Sequence, residues 1–149
     1  MKSFIKNKLR ESLKNFNSPS PENIITAVIH RLQIWYYETE GIDACTINTG
    51  ECMNFAEVVY EELLKEYNIK TEILSDGLFW EPFDDVEEEY LINPLEFNSP
   101  PTFDYKKLGL PSHYWIYYNG KHYDSERIKG VTNFFDLPTF QKYKQKYSK

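Results

Sequence analysis

Apolar positions recur with a helical period in two long stretches of the chain and alternate in shorter ones. From Ile24 to Tyr37 the residues Ile24, Ile25, Val28, Ile29, Leu32, Trp35 and Tyr36 form a wide stripe, which predicts a core helix. The segment Ser18-Pro19-Ser20-Pro21-Glu22 supplies its start, with Ser20 as N-cap and Pro21 at the first helical position, where a missing N–H is harmless. His30 falls beside the stripe and reads as a surface or boundary residue. Farther on, Cys52, Phe55, Ala56, Val59 and Leu63 fall at i, i+3, i+4, i+7 and i+11, predicting a second core helix to about Tyr67, with Asn68 as a left-handed stop. Asn48 and Thr49 are its N-cap candidates, and Gly50 allows a tight turn into it. Residues 2–16 place Phe4, Ile5, Leu9, Leu13 and Phe16 at helical spacing between lysines, a short amphipathic helix expected to pack on the domain. Thr39 to Thr49 has little apolar periodicity and reads as a loop bordering Cys52.

Alternation takes over after Asn68. Ile69, Thr71 and Ile73 alternate as in a strand, and a helix followed at once by a strand points to an α+β packing. The clearest signal is His113-Tyr114-Trp115-Ile116-Tyr117-Tyr118, Asn119-Gly120, then Lys121-His122-Tyr123-Asp124-Ser125-Glu126, because Asn-Gly between aromatic and β-branched runs marks a two-residue hairpin. That turn pairs Tyr118 with Lys121, Tyr117 with His122, Trp115 with Asp124 and His113 with Glu126, and makes Asp124 the diagonal neighbour of His113. Gly130 to Pro138 is short and apolar and is expected to form a turn-rich cap, after which the lysine-studded tail is expected to fray.

Between Trp80 and Tyr105 the pattern breaks down into eight acidic residues, four prolines and no lysine or arginine, interleaved with Trp80, Phe83, Tyr90, Leu91, Ile92, Leu95, Phe97 and Phe103. Irregular stretches of this length in a small domain are usually functional or mobile, and this one reads either as an acidic flap over the domain or as a solvated insertion. The 149 residues suit a single domain, with a core over 17–138 and the flap at 80–105. A net charge of −6 argues against nucleic-acid binding. No secretory signal and no apolar run near membrane length are present, so a cytoplasmic protein without membrane insertion is expected, and the oligomeric state is open.

Candidate chemistry centres on Cys52. A thiol at a helix start faces the positive end of the macrodipole, which favours the nucleophilic thiolate, although a buried cysteine is as often a small core hydrophobe. Cys52, His113 on one strand and Asp124 on the next supply the nucleophile, base and orienting acid of an activated thiol, with Glu126 as the alternative acid. A metal site from His113, His122, Asp124 and Glu126 is a competing reading of the same hairpin face. A noncatalytic interaction protein using the acidic aromatic flap is another.

Gly50-Glu51-Cys52 followed by Phe55-Ala56 and the strand from Ile69 to Leu74 resembles the nucleophile region of the transglutaminase-like branch of papain-fold cysteine enzymes. His113-Tyr114-Trp115 and Tyr123-Asp124 look like that branch's His-x-Trp and Asp elements. The resemblance spans about Asn48 to Ser125. It implies an α+β papain/transglutaminase-like core of helices on a small antiparallel sheet. It also implies cofactor-free acyl transfer on an amide or peptide bond of a protein or peptide substrate, through Cys52, His113 and Asp124. The oxyanion-stabilising glutamine that papain-type enzymes carry before the cysteine is absent here. The Cys52 backbone N–H with Asn48 is the expected substitute, and Trp115 is expected to line the site.

Overall fold

A computed structural model describes residues 19–75, 91–92 and 113–147. The helix expected over 2–16 and all of the acidic stretch except Leu91–Ile92 lie outside the described residues.

The first helix, α1, spans Pro21–Glu40 and starts as its sequence requires: Ser20 has an extended backbone and its hydroxyl accepts from Asn23 N–H at 3.1 Å. Its buried face is Ile25, Val28, Ile29, Leu32 and Tyr36, while His30 is exposed. Gly41, with φ of 68°, ends it in the left-handed region, where glycine carries no Cβ penalty. The stretch that follows is not the expected loop. Asp43 caps a single turn, α2 (Ala44–Thr46), by accepting from Thr46 N–H at 2.8 Å, and a π-helical turn, Ile47–Glu51, then runs directly into α3 (Cys52–Tyr67). Only Ile47 and Asn48 are buried in that run, too few to leave a periodic signature in the sequence. Helix α3 buries Cys52, Phe55, Ala56, Val59 and Leu63, the face its spacing predicts, and stops at Asn68 with φ of 54°.

The strands are β1 (Glu72–Ser75), β2 (Leu91–Ile92), β3 (Tyr114–Tyr118), β4 (Lys121–Asp124) and β5 (Arg127–Val131). They form one sheet in the order β2-β1-β3-β4-β5. Most of it is antiparallel, but β2 runs parallel to β1 at one edge, so two residues of the acidic stretch belong to the sheet. The fold class is therefore α+β. The β3–β4 hairpin has the expected register over Tyr118–Lys121, Tyr117–His122 and Ile116–Tyr123.

The second half of that hairpin differs from the expectation. The chain turns again immediately after Asp124, which pairs with Arg127, so Glu126 sits in the β4–β5 turn instead of opposite His113. Asp124 brings about the turn itself by accepting from the backbone N–H groups of Glu126 and Arg127, each at 2.9 Å. Between His122 and Asp124 the β4–β5 register shifts, and Gly130 lies against the Tyr123 ring with φ of 79°. A Cβ at Gly130 would stand 2.8 Å from Tyr123 Cε1.

The main core joins α1, α3 and the sheet through Ile25, Ile29, Phe55, Val59, Leu63, Ile73, Ile116 and Tyr123, among others. A second, aromatic layer covers the other side of β3 and β4. After a 3-10 turn (Phe134–Asp136), α4 (Pro138–Tyr147) delivers Phe140, fully buried, against His113, Trp115 and Phe134. The tail expected to fray is thus helical through Tyr147, and the core extends past the boundary expected at 138.

Candidate active site

Three elements bring Cys52, His113 and Asp124 together. Cys52 is the first residue of α3 and is 7% exposed. His113 immediately precedes β3 and is 3% exposed, and Asp124, also 3% exposed, ends β4. His113 Nε2 lies 3.0 Å from Asp124 Oδ2, so the ring donates to the carboxylate. The other carboxylate oxygen is held by the two N–H groups of the β4–β5 turn. With both oxygens engaged, Asp124 has one orientation, and it presents a single oxygen to the ring.

The Cys52 sulfur lies beside the His113 ring, close enough to act on its protonation. Because Nε2 serves Asp124, Nδ1 is the ring nitrogen left for the thiol. Burial on its own disfavours the imidazolium, yet the bond to Asp124, the neighbouring Cys52 sulfur and the charges of both groups overcome it and push the His113 pKa up to about 9. At neutral pH the ring is accordingly an imidazolium held between a carboxylate and a sulfur.

Trp115 stacks on His113, with ring centroids 5.6 Å apart, and its Nε1 donates to His122 Nδ1 at 3.0 Å. It backs the ring from within the core. His122 is 1% exposed, and burial drives its pKa down to about 4, so it stays neutral and accepts from Trp115. The face expected to carry His113, His122, Asp124 and Glu126 is divided among separate hydrogen bonds, and no group of three or more His, Cys, Asp or Glu side chains placed to hold a metal occurs among the described residues.

Two details of the nucleophile helix differ from expectation. Cys52 is preceded by the π turn and α2, so it does not stand at a free helix start; no side chain caps α3, and the electrostatic partner for the thiol is His113 in place of an exposed macrodipole. Isolated π turns are rare and recur at functional sites. Asn48 is no N-cap either. Its Nδ2 donates to Glu126 Oε1 at 2.9 Å and its Oδ1 lies 3.0 Å from Ser125 Oγ. An oxyanion role for Asn48 would have to use its second Nδ2 proton.

The same amide makes Asn48 a clamp between the π turn and the β4–β5 turn. Ser125 Oγ also reaches the Ala44 carbonyl at 2.7 Å, and Gln33 of α1 donates to the Ser125 carbonyl at 2.9 Å. Ser125 and Gln33 were not evident from sequence. The one signal for Ser125 is its place after an aspartate able to form an Asx turn, followed by the alternation of Arg127 to Val131.

No family model, curated protein or solved structure matches this chain.

The chemistry must therefore be read from the residues. A buried imidazolium beside a thiol is an arrangement that can favour a thiolate, and the carboxylate on its far side fixes the ring's orientation. Among the described residues, no helix is long and apolar enough to cross a membrane.

Proposed function

We propose that the chain is a cysteine-dependent acyl-transfer enzyme acting on an amide or peptide bond, with Cys52 as nucleophile, His113 as acid and base, and Asp124 as the orienting carboxylate. The observation that carries this reading is the buried His113 ring, bonded to Asp124 at 3.0 Å and raised in pKa by that carboxylate together with the neighbouring Cys52 sulfur. His122, in the same molecule, is held instead by a neutral partner, Trp115. The order of the parts, a cysteine opening a core helix and then histidine and aspartate on successive strands, is also the order in transglutaminase-like enzymes, and the α+β architecture is compatible with their fold.

In the first half-reaction Cys52 Sγ attacks the carbonyl carbon. An S–C bond forms and the carbonyl electrons move to oxygen. His113 then gives its Nδ1 proton to the leaving nitrogen as the C–N bond breaks, leaving a thioester. In the second half, water or an amine attacks the thioester while His113 takes the incoming proton, and the S–C bond breaks to restore Cys52. Peptide hydrolysis, isopeptide hydrolysis, deamidation and amine transfer all share the first half.

Labelling with an activity-based acylating probe, followed by peptide mass mapping, tests the proposal. The expected adduct is on Cys52 and disappears in His113→Ala. An adduct on Cys52 that persists undiminished in His113→Ala contradicts a His113-activated nucleophile and leaves a binding role for the fold.

A further inference from the structure

Ser125 stands between the segment that carries Cys52 and the turn that carries Asp124. It follows Asp124 directly and is fully buried, with 0% of its surface exposed. Its Oγ lies 2.7 Å from the Ala44 carbonyl and 3.0 Å from Asn48 Oδ1, so one hydroxyl proton is shared by two acceptors on the helical run that leads into Cys52. Its own carbonyl accepts from Gln33 Nε2 of α1 at 2.9 Å. Asn48, also buried, adds a second tie by donating to Glu126 Oε1 at 2.9 Å.

Each end of this bridge is fixed locally. Asp124 is tied to His113 and to the N–H groups of its own turn, and Cys52 is the first residue of α3. The spacing between the two ends needs a further constraint, because the β4–β5 register shifts between His122 and Asp124. Apolar packing brings α3 onto the sheet but is non-directional, whereas hydrogen bonds of this length fix where the start of the helix lies. We propose, on the reading of Cys52, His113 and Asp124 as an activated thiol, that Ser125 is a positioning residue of that site, whose hydroxyl sets the approach of the Cys52 sulfur to the His113 ring. Removing the hydroxyl takes the donor from the Ala44 carbonyl and Asn48 Oδ1 and lets the two segments move apart. Asp124 keeps its own turn and its bond to His113, so the loss falls on the thiol. A misplacement of about 1 Å between reacting groups costs on the order of 10²-fold in rate.

The test is the pH profile of Cys52 alkylation by iodoacetamide in the full-length protein, read by peptide mass mapping in Ser125→Ala, Gln33→Met and His113→Gln. Cys45 is exposed, with Lys142 Nζ 3.2 Å from its sulfur, and is replaced by serine throughout. Circular dichroism identifies the variants that are folded. In folded Ser125→Ala the rate at pH 6.5 is expected to fall about tenfold or more, and the midpoint of the profile to move toward the ordinary thiol value of about 8.5. A purely structural serine would lower stability and leave the profile of the folded protein where it was. Gln33→Met keeps a helix-forming side chain of similar length but removes the donor to the Ser125 carbonyl; it is expected to shift the profile in the same direction with a loss of about threefold, and it decides the matter should Ser125→Ala not fold. A wild-type rate and profile in folded Ser125→Ala, or in Gln33→Met where Ser125→Ala does not fold, would overturn the role of Ser125 while leaving the activated thiol intact. Equal labelling of wild type and His113→Gln would overturn the reading on which that role rests.

Discussion

His113 Nε2 and Asp124 Oδ2 stand 3.0 Å apart with both side chains 2% exposed, and the second oxygen of Asp124 is anchored by the turn that follows it. This decides between the two acids the sequence left open. Glu126, expected to face His113, is turned away by the β4–β5 hairpin and engaged by Asn48 and Lys142. Asp124→Asn is therefore expected to cost about 10⁴ in turnover with the fold kept, and Glu126→Gln to be mild. By NMR, the His113 titration near pH 9 should fall to the ordinary histidine range or below once the carboxylate is gone, because burial then acts against the charge. A His113 titration unchanged in Asp124→Asn would remove Asp124 from its role.

The two buried histidines shape stability against pH in opposite directions. His113 has a folded pKa of about 9, above its unfolded value near 6.5, so its stabilisation is complete below pH 6.5 and is lost as the pH rises through 9. His122 has a folded pKa of about 4, so the unfolded chain alone binds its proton between pH 6.5 and 4, and stability falls as the pH drops through that window. Each contributes a slope of up to about 1.4 kcal/mol per pH unit. Urea midpoints measured from pH 4 to pH 9 should peak near pH 6.5. In His113→Gln the alkaline decline should flatten while the acid limb persists.

Two glycines make opposite predictions for the same substitution. Gly130 combines a positive φ with a 2.8 Å approach to the Tyr123 ring, so Gly130→Ala should destabilise by about 1–3 kcal/mol. Gly50 has no positive φ and nothing within 4 Å of an added Cβ, so Gly50→Ala should be neutral or stabilise by up to about 1 kcal/mol. Thermal denaturation of both variants checks the close approach at one site and the helical turn at the other.

Phe140 tests whether the C-terminal helix belongs to the core. It is fully buried against His113, Trp115 and Phe134, so Phe140→Ala should cost about 3–5 kcal/mol in chemical denaturation. A fraying tail would give a change near zero.

What could be read from the sequence was what local chemistry controls. The Ser20 cap, the Asn68 stop, the buried face of α3 and the Asn119-Gly120 hairpin each depend on residues within a few positions of one another, and all are found. The segment from Ala44 to Glu51 was not legible as helix because one buried apolar side chain, Ile47, and the Asn48 clamp hold it, and the clamp's partners lie on a distant turn. The tail misled for a related reason: its lysines dominate the pattern, while Phe140 is a fully buried aromatic of α4. At the candidate site, the juxtaposition of His113 and Asp124 followed from the hairpin register. The Asx turn that locks Asp124, and that removes Glu126 from contention, did not.

Alkylation of Cys52 itself tests the central claim most directly, and exposed, lysine-paired Cys45 must first be replaced so that it does not compete. In a Cys45→Ser background, iodoacetamide labelling is followed by mass mapping at pH 6.5, where an ordinary thiol with a pKa of about 8.5 is only about one per cent ionised. The account predicts that Cys52 is labelled about tenfold or more faster with His113 present than in His113→Gln, with both proteins folded by circular dichroism. Equal, slow labelling in the two proteins would contradict it and return Cys52 to the core as a buried structural thiol.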